Sequence, residues 1–236
     1  MAIRRSPASE PLSLSRQEKL ARFSAYTVVH PHLKGAYEEF LDAIRNPGGA
    51  SLVFLFGPTG VGKTTLLRQI VKILIEKNTT EIETNSNYFP VTTVEAIAPE
   101  SGNFDWKHYY QSILISLTEF PYYNRFAKKR SRLIGISSRQ RLITSTNHLS
   151  RIREQVIASI RQRRLVALLT DEAQRFTKMS SGRKQRDALD AMQSMASMTR
   201  QTASDNGTCT LHGLFGTYEL LDFRNLSAQL SRRSID

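Results

Sequence analysis

At 236 residues, with 40% hydrophobic and 23% charged residues, the chain has the makeup of a globular protein that can bury a substantial core as one large domain or two small ones. Thirty-three basic residues against 21 acidic ones leave a formal charge of +12, which points to a polyanionic partner. A single cysteine, Cys209, excludes an intramolecular disulfide, no apolar stretch follows Arg4 and Arg5 as a signal peptide requires, and no apolar run approaches the roughly 20 residues that cross a bilayer. The expectation is a soluble, cytoplasmic protein without a membrane partner.

Residues 1–27 are polar and weakly periodic, and read as an N-terminal extension to a core spanning 28–236. Ala36, Phe40, Leu41 and Ile44 recur at helical spacing, and Asn46-Pro-Gly-Gly stops that helix. Ser51–Phe56 is short and almost entirely apolar, the pattern of a strand buried on both faces of a parallel sheet. A helix is predicted from Lys63 to about Lys77, with Leu66, Leu67, Ile70 and Leu74 on one side. Tyr88–Ile97 reads as the second strand, and Asp105 caps a helix running to about Phe120. Further on, a helix is predicted over Thr146–Arg164, a strand over Leu165–Thr170, a helix over Asp187–Gln201 and a strand over Thr208–Phe215. Strands alternating with helices imply an α/β fold, a parallel sheet with helices on both faces. The Met192, Met195 and Met198 series reads as core or inter-subunit packing.

Charge is concentrated in one place. Residues 121–164, inserted between the second and third predicted strands, hold twelve basic residues against one acid, Glu154. That concentration favours nucleic acid over a merely solvated face.

The chemistry begins at Gly57-Pro58-Thr59-Gly60-Val61-Gly62-Lys63-Thr64, which fits G-x-x-x-x-G-K-[ST] without a mismatch and sits between a strand and a helix. Glycines let such a loop turn its N–H groups inward around phosphates, and the helix N-terminus adds partial positive charge. The loop as far as Thr65 is the predicted ATP-binding segment, with Lys63 reaching the β- and γ-phosphates and Thr64 ligating Mg²⁺. The partner motif is Val166-Ala-Leu-Leu-Thr-Asp-Glu172, whose strand brings Asp171 beside the phosphate loop to hold the metal. Glu172 would orient and polarise the attacking water, and this second acid argues for hydrolysis to ADP and phosphate rather than kinase-type transfer.

The P-loop and the Asp-Glu-Ala-Gln174 step resemble the AAA+ ATPases. Leu214-Phe-Gly-Thr217 resembles their sensor strand, which lies between the phosphate and acidic strands, and Thr217 falls at the sensor position. Gln229-Leu-Ser-Arg232-Arg233 resembles the arginine-finger segment that reaches the ATP of a neighbouring subunit, and the two arginines stay equivalent at this point. AAA+ modules continue into a helical lid; the chain stops at Asp236, so the expectation is a lid either absent by nature or lost to truncation, which leaves the rate of hydrolysis open.

Val28-Val-His30-Pro31-His-Leu-Lys-Gly-Ala-Tyr-Glu-Glu-Phe40 and Thr93-Val-Glu-Ala-Ile-Ala-Pro99 narrow the resemblance to the TniB/TnsC transposition ATPases, including those of CRISPR-associated transposons. The resemblance implies a bacterial, ATP-dependent regulator of DNA transposition. Such proteins form rings or filaments on duplex DNA and link a target selector of the TniQ type to the transposase. It also implies that His30 and Pro31 lie near the adenine. The candidates for sequence-independent duplex binding are Lys107, Lys128, Lys129, Arg130 and Arg132, with Arg183 and Lys184 as a second set. A helicase-loader or replication-initiator ATPase, and a nucleotide-switched scaffold with little hydrolysis, are the alternatives.

Overall fold

The computed structural model describes residues 31–46, 52–98, 103–118, 148–178, 182–199 and 210–221. In chain order these form α1 (Pro31–Arg45), β1 (Leu52–Phe56), α2 (Lys63–Lys77), α3 (Thr79–Thr84), β2 (Val91–Glu95), α4 (Trp106–Thr118), α5 (Leu149–Arg163), β3 (Ala167–Asp171), a 3-10 turn (Ala173–Thr177), α6 (Gly182–Thr199) and β4 (Leu211–Gly216). The four strands make one parallel sheet in the order β1-β4-β3-β2. β4, the last strand among the described residues, is therefore inserted between the phosphate strand and the acidic strand, as the resemblance implied.

Alternation along the strands assigns their side chains to two cores. Val53, Leu55, Leu169 and Phe215 face α1 and α2, where Phe40, Leu67, Ile70 and Leu74 complete one apolar layer. Phe54, Leu168 and Leu214 face the opposite way, toward Ile113, Leu117, Ile152, Val156, Ile160, Leu189 and Met192 of α4, α5 and α6. β3 and β4 are covered on both sides, which is why their sequences run apolar without alternation. Met195 is also fully buried, while Met198 is 45% exposed, so the methionine series is largely core.

Several boundaries shift for identifiable reasons. α1 starts at Pro31 rather than Ala36, since a proline's fixed φ suits a first helical turn. β2 is confined to Val91–Glu95 because Tyr88 closes a turn onto Asn85, and Pro90 lacks an N–H while its carbonyl accepts from Val166 and Ala167. α6 begins five residues before the expected Asp187. Asp105 caps α4 as expected, its carboxylate accepting from the His108 N–H at 2.9 Å.

α3 has no counterpart in the sequence reading. Its TTEIET sequence is poor in strong helix formers, and tertiary contacts hold it. Ile82 is buried, the Tyr88 hydroxyl donates to Asn78 Oδ1 at 2.9 Å, and Arg164 pairs with Glu81 at 2.6 Å.

The C-terminal part of the basic segment is an integral layer of the core. Within α5, Arg153 donates to Ser194 at 2.6 Å and Arg161 to the Met198 carbonyl, while the Arg163 guanidinium lies 4.2 Å from the Phe89 ring centre. These arginines, with Arg164, hold helices and loops together, a structural role that their place in a basic run did not signal.

Candidate nucleotide site

The residues that carry chemistry gather at the carboxyl ends of β1, β3 and β4, the edge where a parallel sheet opens onto its loops. β1 leads straight into Gly57, and α2 begins at Lys63. The intervening loop needs backbone that L side chains rarely adopt, with φ of +83° at Gly60 and +101° at Gly62. The Gly57 N–H donates to the Gly216 carbonyl at 3.2 Å, fastening the start of the loop to the end of β4. A Cβ at Gly62 would stand 3.3 Å from Leu33 Cδ2, so the first turns of α1 lie against the loop.

Lys63 curls over this loop, its Nζ donating to the carbonyls of Gly57 at 3.0 Å and Pro58 at 2.8 Å. A flexible ammonium held by neutral carbonyls is free to exchange them for a phosphate oxygen, a charge-assisted partner. Pro58, Thr59, Gly60 and Val61 are exposed, which leaves the loop open to a ligand, and Thr65 is half-buried behind it.

Thr64 Oγ1 donates to Asp171 Oδ2 at 2.8 Å, joining the first turn of α2 to the last residue of β3. The second carboxylate oxygen of Asp171 accepts from the Glu172 N–H at 2.9 Å. Two hard oxygen donors side by side, next to a phosphate-type loop, fit Mg²⁺, which keeps most of its waters and takes few protein ligands. Thr64 and Asp171 are the residues that would hold it.

Glu172 has left-handed backbone, φ 55° and ψ 31°, uncommon for a residue with a side chain. That kink ends β3 and starts the 3-10 turn, which the sequence reading had not anticipated. Glu172 Oε2 accepts from Gln174 Nε2 at 2.8 Å, with Arg175 NH2 3.6 Å away. Arg175 is itself fixed to the end of β2, donating to Glu95 Oε1 at 2.9 Å and to the Ala96 carbonyl at 2.5 Å. On its other side the Gln174 carboxamide accepts from the Thr217 N–H at 3.2 Å.

Thr217 thus reaches the site at the end of the central strand, and its buried Oγ1 has no hydrogen-bond partner among the described residues. Gly216 has no room for a side chain: a Cβ there would come 2.5 Å from Gln174 Oε1 and 2.6 Å from Leu220 Cδ1.

The structure therefore brings Gly57–Thr65, Asp171, Glu172 and Thr217 together. Pro31 heads α1, while His30, Arg232, Arg233, Lys128, Lys129, Arg130 and Arg132 lie outside the described residues. Lys107 is half-buried in the first turn of α4, and Arg183 and Lys184 fall in the first turn of α6. Gln174 and Arg175 were not among the predicted site residues. The signal for them was an amide and a guanidinium two and three residues beyond Glu172, within reach of its carboxylate across one tight turn.

Among the described residues no helix is long and apolar enough to cross a membrane. No curated protein matches the chain. In fold comparison it is similar to the Walker-type ATPase PABY2304 of Pyrococcus abyssi, with 16% identity and a TM-score of 0.45, covering 79% of this chain and 46% of that one. The chain thus spans less than half the length of that protein. A family model described as AAA domain matches residues 44–223, from the end of α1 past β4. With phosphate loop, acidic strand and central strand converging on one sheet edge, and that match covering most of its length, the chain belongs to the AAA domain family of P-loop ATPase-type proteins.

Proposed function

We propose that this protein binds and hydrolyses ATP. The observation that carries the reading is the 2.8 Å contact between Thr64 and Asp171, with Glu172 following directly at the open edge of the sheet. Loop N–H groups and Lys63 take the β- and γ-phosphates, where a helix N-terminus favours negative charge. Thr64 and Asp171 would hold Mg²⁺, which would supply positive charge beside the phosphate oxygens. The Glu172 carboxylate orients a water; the water oxygen bonds to the γ-phosphorus, its proton passes toward Glu172, and the bond to the bridging oxygen breaks with its electron pair leaving on ADP.

The finer reading is an ATP-dependent regulator of DNA transposition that assembles on duplex DNA and joins a target selector to the transposase. Its support is the sequence resemblance set out above and the charge. Residues 125–141 alone carry seven basic side chains and no acid, enough for backbone-tracking contacts that many subunits would multiply along one duplex. An arginine from a neighbouring subunit, Arg232 or Arg233, would complete the site when copies stack.

The test is negative-stain electron microscopy with duplex DNA in ATP and in ADP, together with phosphate release with and without DNA. Rings or filaments in ATP, dispersing as phosphate is released, are expected. DNA-free particles in both nucleotides would end the transposition reading, and binding without phosphate release would end the hydrolytic one.

A further inference from the structure

We infer that Gln174 is a positioning residue that links Glu172 to the end of the central strand, so that what Thr217 meets is transmitted to the catalytic carboxylate. The inference rests on the hydrolytic reading of Glu172 and names the part that controls it.

The geometry is that of a two-headed bridge. The Gln174 amide nitrogen donates to Glu172 Oε2 at 2.8 Å, and its oxygen accepts from the Thr217 N–H at 3.2 Å. Both ends of one planar group are thus committed, and the orientation of the carboxamide is fixed by chemistry: only its nitrogen can donate to a carboxylate. Gln174 is 7% exposed and packed over Gly216, whose missing side chain makes the approach possible. A buried amide with both ends used is costly to disturb, so displacement at one end moves the other.

The frame around the bridge is rigid where the bridge must be steady. Gly216 pairs with Phe56 in the sheet, and its carbonyl accepts from Gly57, which fastens the strand end to the phosphate loop. Arg175, the next residue, is tied to Glu95 at the end of β2 and to the carbonyl of Ala96 just beyond it. Both Gln174 and Arg175 approach Glu172 at Oε2. Glu172 itself sits in left-handed backbone, a conformation the surrounding contacts must hold.

The chain offers its own reporter. Trp106, its single tryptophan, stacks on Phe176 with ring centres 5.7 Å apart and planes 8° from parallel, two residues beyond Gln174. Movement of the 3-10 turn therefore changes the environment of one fluorophore.

The experiment compares the full chain with Gln174→Met, which keeps volume and removes both hydrogen bonds, and with Gln174→Glu, which keeps the acceptor toward Thr217 and removes the donor toward Glu172. Thermal melts first identify which variants fold, and affinity for labelled ATP and ADP is measured alongside turnover. Expected for either folded variant is a roughly 10- to 100-fold lower kcat with ATP affinity within about threefold of wild type. The Trp106 emission should differ between ATP and ADP in wild type and lose that difference in Gln174→Met. A folded variant with wild-type kcat, or a Gln174→Met emission that still separates ATP from ADP, overturns the bridge. Wild-type protein that binds ATP without turnover ends the hydrolytic reading alone, and the emission comparison then decides the bridge by itself. Equal emission in ATP and ADP for wild type also overturns it.

Discussion

Thr64 and Asp171 stand 107 residues apart in sequence and 2.8 Å apart in space, hydroxyl to carboxylate. Their meeting depends on two different elements ending at the same sheet edge, α2 at its first turn and β3 at its last residue. Either side chain alone is an ordinary polar group at the end of an element; together they set oxygen donors side by side beside the loop, a pair that would suit a divalent cation.

Removing that pair should separate metal-dependent from metal-independent binding. Asp171→Asn is expected to lower ATP affinity in Mg²⁺ by about tenfold, or about 1.4 kcal/mol, and to leave affinity in EDTA unchanged. Titration of a fluorescent ATP analogue in both buffers measures it. Equal losses in both would mean that Asp171 shapes the loop rather than holding the ion.

Glu172 should act on chemistry and not on binding. For Glu172→Gln the expected outcome is a fall in turnover of about 100-fold or more, with ATP affinity retained. Single-turnover phosphate release reads this directly. Unchanged turnover would move the water-activating role to another group.

Gly216 is expected to tolerate no side chain. With a Cβ placed 2.5 Å from Gln174 Oε1 and 2.6 Å from Leu220 Cδ1, Gly216→Ala must push the amide away or open the turn after β4. A loss of about 1–3 kcal/mol in urea unfolding is expected, together with reduced turnover. Wild-type stability and turnover in this variant would show that the turn relaxes freely.

His212 should give the fold an acid-side weakness. Its ring is fully buried on β4, and Nε2 meets Thr199 Oγ1 at 2.8 Å. The Thr199 hydroxyl donates to the carbonyl of Met195 or Ala196, so it accepts from a neutral His212 that carries its proton on Nε2. Burial pushes the His212 pKa down to about 4 from 6.5. The unfolded chain therefore binds the proton first: the contribution is complete above pH 6.5, is lost as pH falls toward 4, and then levels off. Its full size is about 3 kcal/mol. Urea midpoints at pH 7.5, 6 and 5 should fall less steeply for His212→Gln than for wild type. Parallel slopes would assign the acid sensitivity to other groups.

How much of this was legible in the sequence depends on the range of the interaction. The phosphate loop was readable because it is local: one strand, glycines where backbone must turn, one lysine and one threonine at fixed spacing. Asp171 and Glu172 were readable because a buried apolar strand ending in two acids has few other uses beside such a loop. The sequence alone also determined the α/β class, since apolar period and length distinguish short buried strands from amphipathic helices. It could not separate arginines by role. Arg153, Arg161, Arg163 and Arg164 look like the rest of a basic run, and only packing against Ser194, Met198, Phe89 and Glu81 makes them structural. Likewise α3 forms against its own propensities because Glu81 meets Arg164 far along the chain, Tyr88 holds Asn78 at its start, and Ile82 is buried. The Glu172–Gln174–Thr217 link was decided by tertiary structure alone. Spacing places Gln174 near Glu172, but Thr217 arrives through the insertion of β4 between β1 and β3, and strand order is set by which apolar faces can be covered together, not by any local pattern.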